Sequence, residues 1–221
     1  MKATMSRSEL RTKCKRESDY IITLFITNEV SLLLTRFLFK TKVTPNQVTF
    51  FSILCGLFTG IFYGLGFFWV GSIFLFLSHT LDCTDGNLAR AKEMFSSSGK
   101  WLDTIGDRVT EIFIFVGTGF YLFMHESSNL LGVLALLDVI LLMLYYYIID
   151  MGLALGLLSP IQSITNMKFK DVKIKWGLLE PMIYGFIVLA PIGLIKVQVI
   201  LMFFLVLLGL AYQGMKGHKN E

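Results

Sequence analysis

The stretch Asp82-Cys83-Thr84-Asp85-Gly86-Asn87-Leu88-Ala89-Arg90, followed after eight residues by Gly99-Lys100-Trp101-Leu102-Asp103-Thr104-Ile105-Gly106-Asp107, places four carboxylates inside apolar surroundings. Asp82, Asp85 and Ala89 are three and four positions apart, so on a helix they share one face. Asp103 and Asp107 share a face in the same way, with Gly99 one turn earlier. The polar residues between Arg90 and Gly99, among them Ser96, Ser97 and Ser98, read as a short connection. Two antiparallel helices joined by it bring both carboxylate pairs together. An ionised carboxylate is costly in hydrocarbon and marks a proton path, an ion pair or a metal site. Four converging acids need cations to hold them.

The chain on either side identifies the solvent. Its 221 residues are 54% hydrophobic and only 16% charged, with 20 Phe and 10 Met, and the mean hydropathy is +0.66. A soluble protein carries roughly 25% charged residues, so the composition argues for an integral membrane protein. Apolar stretches run over 45–66, 67–90, 99–124, 128–150, 176–194 and 197–214. Each approaches the ~20 residues a helix needs to cross ~30 Å of hydrocarbon. The expected fold is therefore all-α: a bundle of six transmembrane helices preceded by an N-terminal interfacial amphipathic helix over about 20–39, where Asn28, Glu29 and Arg36 interrupt the apolar run. Two parts follow, a basic N-terminus with its interfacial helix (1–43) and a six-helix transmembrane catalytic domain (44–221). Thr44-Pro45-Asn46 reads as a helix start, with Thr44 as cap and Pro45 in the first turn. The 154–175 connection, with Pro160, leaves room for a short interfacial helix.

Charge orients the bundle. Residues 1–44 hold nine lysines and arginines, 168–175 hold Lys168, Lys170, Lys173 and Lys175, and the C-terminus adds Lys216 and Lys219. The turns near 66, 125 and 195 hold only Lys196. The positive-inside bias puts both termini and the carboxylates on the cytoplasmic side, and six crossings likewise put the two termini on one side. Cys14, Cys55 and Cys83 show no paired spacing, and a reducing cytoplasm disfavours a structural disulfide.

An all-oxygen ligand set suits Mg²⁺, Mn²⁺ or Ca²⁺ rather than zinc, and spacing alone does not separate one ion from two. Gly86, Ala89 and Gly99 remove side-chain bulk beside the acids, and Arg90 offers a planar fork of donors to a phosphate. Together these residues fit a phosphate-anhydride ligand. An ion-coupled transporter would also bury aspartates and is the reading from a different class. His79 is expected to be a buried histidine, Trp101 to pack between helices, and Trp69 and Trp176 to anchor helix ends at the interface.

As a pattern, residues 82–107 read D-x2-D-G-x2-A-R-x8-G-x3-D-x3-D. This resembles the signature of the CDP-alcohol phosphatidyltransferase family at every fixed position, and Thr44-Pro45-Asn46-Gln47-Val48-Thr49 resembles the segment that opens the first membrane helix in many members. The resemblance implies Asp82, Asp85, Asp103 and Asp107 as the metal site, two Mg²⁺ or Mn²⁺ ions, and Asp107 as general base with Asp103 beside it in catalysis. It places Asp82, Gly86, Ala89, Arg90 and Gly99 around a CDP-linked donor. It also implies a small polar alcohol as acceptor, a homodimer in the lipid bilayer, and no nucleic-acid partner. The reaction implied is attack of the alcohol on the β-phosphorus with CMP leaving. The donor is expected to be CDP-diacylglycerol or its ether equivalent; a choline- or ethanolamine-phosphotransferase acting on a diradylglycerol is the alternative. The D107-R108-V-T-E111 run resembles members that use inositol phosphate. Arg108, Glu111, Asp150, Lys173, Lys175 and Glu180 are the candidate acceptor-binding residues, with an Arg108–Glu111 ion pair as the competing role for that pair.

Overall fold

The computed structural model describes residues 7–157, 164–169, 172–175 and 177–217. A short helix α1 (Arg7–Lys13) and strand β1 (Ser18–Tyr20) lead into a π-helical segment (Thr23–Thr27) that runs on as α2 (Asn28–Phe39). The bundle helices are α3 (Pro45–Gly64), α4 (Phe68–Lys92), α5 (Ser97–His125), α6 (Leu130–Ala154), α7 (Leu179–Leu189) and α8 (Ile195–Gly217). Between α6 and α7 lie β2 (Ile164–Phe169) and β3 (Val172–Lys175).

Helix starts follow their local chemistry. Thr44 caps α3 by accepting from Gln47 N–H, while the Gln47 side chain accepts from Thr44 N–H and Pro45 occupies the first turn. This is the reciprocal capping box. Ser96 caps α5 by accepting from Gly99 N–H at 3.0 Å.

Among the described residues three helices, α3, α6 and Ile195–Gly214 of α8, are long and apolar enough to cross a membrane. Helices α4 and α5 have 25 and 29 residues, and they carry the charged cassette that lowers their apolarity. Helix α7 departs from the expected full span. It has 11 residues, about 16 Å at ~1.5 Å per residue, because Pro191 and Gly193 (φ +81°) turn the chain just beyond it.

The all-α expectation needs a second correction. The described part of the 154–175 connection is extended rather than helical, and β3 sits centrally in a three-stranded sheet of order β1-β3-β2. β1 runs parallel to β3, pairing Ser18 with Lys173 and Tyr20 with Lys175. The alternation of Val172 and Ile174 (buried) with Lys173 (exposed) is the period-2 pattern of a half-buried strand. Pro160, Lys170, Trp176 and Lys219 lie outside the described residues.

Helices α3 and α5 approach closely because glycines line the seam. A Cβ on Gly60 would collide with the Phe113 carbonyl, one on Gly117 with the Gly60 carbonyl, and one on Gly56 with the Thr110 side chain. Helix α4 is fastened to α3 by a reciprocal pair. Ser52 Oγ donates to the Ser78 carbonyl (2.8 Å) and Ser78 Oγ donates to the Ser52 carbonyl (2.9 Å). Small residues and polar clamps of this kind let helices pack where hydrocarbon supplies no hydrophobic drive. The apolar core, with Tyr63, Leu75, Phe115, Leu142, Phe186 and Met202 among its buried members, fills the bundle around them.

Candidate metal and phosphate site

Three of the four carboxylates singled out by their spacing meet. Asp82, Asp85 and Asp103 each present a carboxylate oxygen, and these oxygens all lie within 4.8 Å of one another. Asp82 and Asp85 come from α4 and Asp103 from α5, so the α3-mediated packing of those two helices creates the cluster. Among the described residues no lysine or arginine forms an ion pair with any of the three. The donor set therefore fits a hard divalent cation: hard oxygens, three carboxylates, and no ion-pairing lysine or arginine among the described residues. Asp107, a turn deeper on α5, lines a cavity of about 50 Å³ together with Asp82, His79 and Glu111.

A wider cavity of about 470 Å³ opens beside the cluster, lined by Asp85, Gly86, Ala89, Arg90, Gly99 and Asp103 among others. A Cβ on Gly86 would stand at ordinary contact distance, 3.5 Å, from the Arg90 guanidinium. Packing does not demand that glycine; its hydrogen keeps the cavity open. Gly99 differs, since a Cβ there would come to 2.7 Å from Asn46 Oδ1 and 2.8 Å from Ser96 Oγ. Arg90 is held by Asn87 Oδ1, which accepts from Nη2 at 2.7 Å, and Asn87 in turn donates to Ser31 Oγ at 2.7 Å. The Arg90 Nε–H is buried with no partner, so the guanidinium is oriented but not saturated.

Two residues at the site carried no readable signal of it in the sequence. Thr49 Oγ1 donates to Asp85 Oδ2 at 2.5 Å, and Asn46 lines the wide cavity. Both lie in the Thr44–Thr49 segment, whose periodicity reported only a helix start. His79 is buried as expected, with Nε2 3.2 Å from Thr23 Oγ1. Trp101 is 67% exposed, which corrects its expected packing between helices: on α5 it points away from the seam that Gly106 makes with Ile53.

The candidate acceptor residues take different partners. Arg108 Nη1 pairs with Glu111 Oε2 at 2.5 Å, its guanidinium carbon lies 3.4 Å from the centre of the Tyr146 ring, and Tyr146 Oη donates to Glu111 Oε1 at 3.2 Å. This closed triad stands next to Asp107 in the chain. Glu180 instead accepts from the Ile22 and Thr23 amides through Oε1, anchoring the N-terminal segment to α7. Asp150 is exposed at the end of α6, Lys173 is exposed, and Lys175 is half-buried on the same strand face as Lys173. None of these three lines either cavity beside the carboxylates.

The family model described as CDP-alcohol phosphatidyltransferase matches residues 42–211. A curated bifunctional IPC transferase and DIPP synthase from Aquifex aeolicus is 32% identical over 104 residues, which is 46% of this chain and 23% of that protein. Its counterpart from Thermococcus kodakarensis is 31% identical over 105 residues, covering 48% and 24%. The chain thus matches about a quarter of the length of these relatives. Among solved structures, Mycobacterium tuberculosis phosphatidylinositol phosphate synthase in complex with manganese and citrate superposes with a TM-score of 0.67 at 18% identity, covering 87% of this chain and 88% of that one. The same enzyme with CDP-DAG bound gives 0.66 at 18%, covering 87% and 93%. At that identity the likeness is one of fold.

Proposed function

This chain belongs to the CDP-alcohol phosphatidyltransferase family, and from that premise we propose that it transfers a substituted phosphate group from a CDP-linked lipid to a polar alcohol and releases CMP. The observation that carries the proposal is the convergence of Asp82, Asp85 and Asp103 beside a cavity lined by Gly86, Ala89, Arg90 and Gly99. Divalent ions held by Asp82, Asp85 and Asp103, with Asp107 completing the set, would neutralise the diphosphate and stabilise charge on the leaving phosphate. Arg90, with a donor unspent, binds and orients the diphosphate. The hydrogens of Gly86 and Gly99 admit the nucleotide. Asp107 takes the proton of the acceptor hydroxyl at a carboxylate oxygen. The acceptor oxygen then bonds to the β-phosphorus, the bond from that phosphorus to the bridging oxygen breaks, and CMP leaves with the electron pair.

The acceptor in this reading is inositol phosphate or a similar polar alcohol. Support comes from the Asp107-Arg108 run and from the likeness of fold to a phosphatidylinositol phosphate synthase. We also propose six membrane crossings with the site and both termini cytoplasmic, which the charge bias supports. The family match beginning at residue 42 supports a division at 43/44.

The test is CMP release by purified protein supplied with CDP-diacylglycerol, Mg²⁺ or Mn²⁺, and a panel of alcohols. Asp103→Asn and Asp107→Asn should abolish release while the protein stays folded. Undiminished release in both variants, or ion-gradient-coupled flux without CMP, would refute the proposal.

A further inference from the structure

The N-terminal residues build a third cavity that shares no lining residue with the two beside the carboxylates. It encloses about 390 Å³ between α1, the start of β1, the π-helical segment and α2. Three cations line it, Arg11, Lys15 and Arg16, against two carboxylates, Asp19 and Glu29. Leu24, Phe25 and Leu32 supply its apolar wall. The cations are held in place rather than loosely solvated. Arg11 pairs with Glu29. Arg16 donates through Nη1 to Asp19 Oδ2 at 3.3 Å and through Nη2 to the Cys83 carbonyl at 3.5 Å. The Arg16 Nε–H is buried and has no partner, and a buried donor left unmade is costly.

The same segments carry a continuous run of exposed apolar side chains: Ile21, Phe25, Ile26, Leu33 and Phe37 are each at least 39% exposed. A helix with such a face lies at the hydrocarbon boundary, its charged side among the headgroups. A ligand suited to this place has a phosphate at one end and an apolar body at the other. Guanidinium and ammonium groups match the first, and the Leu24–Phe25–Leu32 wall with its exposed continuation matches the second.

We propose that this N-terminal cavity binds the phosphate group of an anionic phospholipid headgroup, at a site separate from the carboxylate cluster. Arg16 is its central ligand and Lys15 a second. Because Arg16 also holds the carbonyl of Cys83, next in the chain to Asp82, an occupied cavity fastens the N-terminal segment to the carboxylate helix.

Native mass spectrometry of the full chain in detergent tests this, with phosphatidic acid titrated against zwitterionic phosphatidylcholine. Wild type should retain phosphatidic acid preferentially, and Arg16→Gln and Lys15→Gln should each weaken retention about tenfold, the worth of a charge-assisted hydrogen bond. Arg36→Gln, exposed on α2 outside the cavity, and Asp103→Asn should leave it unchanged. The second control keeps the result independent of the proposed catalysis. Thermal melts confirm that each variant is folded, and Lys15→Gln decides the matter if Arg16→Gln is not. Displacement of the lipid by millimolar inorganic phosphate, with the same dependence on Arg16 and Lys15, assigns the site to phosphate from a soluble source and upholds its chemistry. No preference over phosphatidylcholine, or equal losses in Arg36→Gln, overturns the proposal.

Discussion

Thr49 on α3 donates its hydroxyl proton to Asp85 on α4, fixing one carboxylate oxygen of the cluster from a third helix. With both residues buried, this bond helps to hold the direction in which Asp85 faces, beside a backbone hydrogen bond from Gly86. Groups that orient metal ligands are worth about 10–100-fold in metal affinity or activity. Thr49→Val should therefore weaken Mn²⁺ binding by about that factor, read by titration of the Mn²⁺ resonance signal, while Thr49→Ser restores it. Equal affinity in Thr49→Val and wild type would show that Asp85 is oriented by its helix alone.

Removal of divalent ions gives a second expectation. Chelation should stop CMP release, and added Mg²⁺ or Mn²⁺ should restore it, because among the described residues no lysine or arginine forms an ion pair with Asp82, Asp85 or Asp103. Release that persists in excess chelator would remove the metal from the proposed chemistry.

The glycine seam makes a prediction about stability. Gly60→Ala drives a methyl into the Phe113 carbonyl, and backbone cannot move aside as a side chain can. Overpacking of this kind costs about 1–3 kcal/mol. A lower melting temperature should accompany a loss of CMP release, since spreading α3 from α5 also displaces Asp103. Gly86→Ala meets only ordinary contacts, so it should melt like wild type and lose affinity for the CDP-linked donor.

Arg108 separates stability from specificity. Its ion pair with Glu111 and its stacking on Tyr146 mean that Arg108→Ala strands a buried carboxylate, and Glu111→Gln leaves the guanidinium without its anion. Both should lower the melting temperature. Only Arg108→Ala should raise KM for a phosphorylated acceptor. If the two variants shift KM alike, Arg108 serves the fold alone.

Cys14 offers a check on the N-terminal packing outside the membrane. It is 3% exposed and donates to the Asn87 carbonyl at 3.3 Å. Burial pushes its thiol up from the ordinary value, against the opposing pull of Arg90, Arg16 and Lys13. A raised pKa leaves less thiolate near neutral pH, so maleimide labelling of Cys14 should lag far behind that of the unfolded chain. Rapid labelling of the folded protein would mean that α1 does not stay docked.

How much was legible in advance follows from what each level of structure depends on. Helical periodicity is local, so the spacing of Asp82, Asp85, Asp103 and Asp107 already defined two acidic faces and the need for cations. The Thr44–Pro45–Gln47 start and the membrane composition were legible for the same reason. The three-stranded sheet was not. Its β1 and β3 lie some 150 residues apart, and neither short strand carries a pattern without its partner. The shortened α7 was hidden because an apolar run does not record where Pro191 and Gly193 turn the chain.

The sequence by itself determined the two acidic faces, because side-chain spacing on a helix depends only on the residues between. Tertiary structure alone decided which neighbours serve them. Thr49 reaches Asp85 across a helix boundary, Glu180 turns to the amides of Ile22 and Thr23, and Arg108 closes on Glu111 and Tyr146. A polar side chain in a membrane bundle takes whatever partner packing brings within reach, and that choice is made between helices, where no local spacing records it.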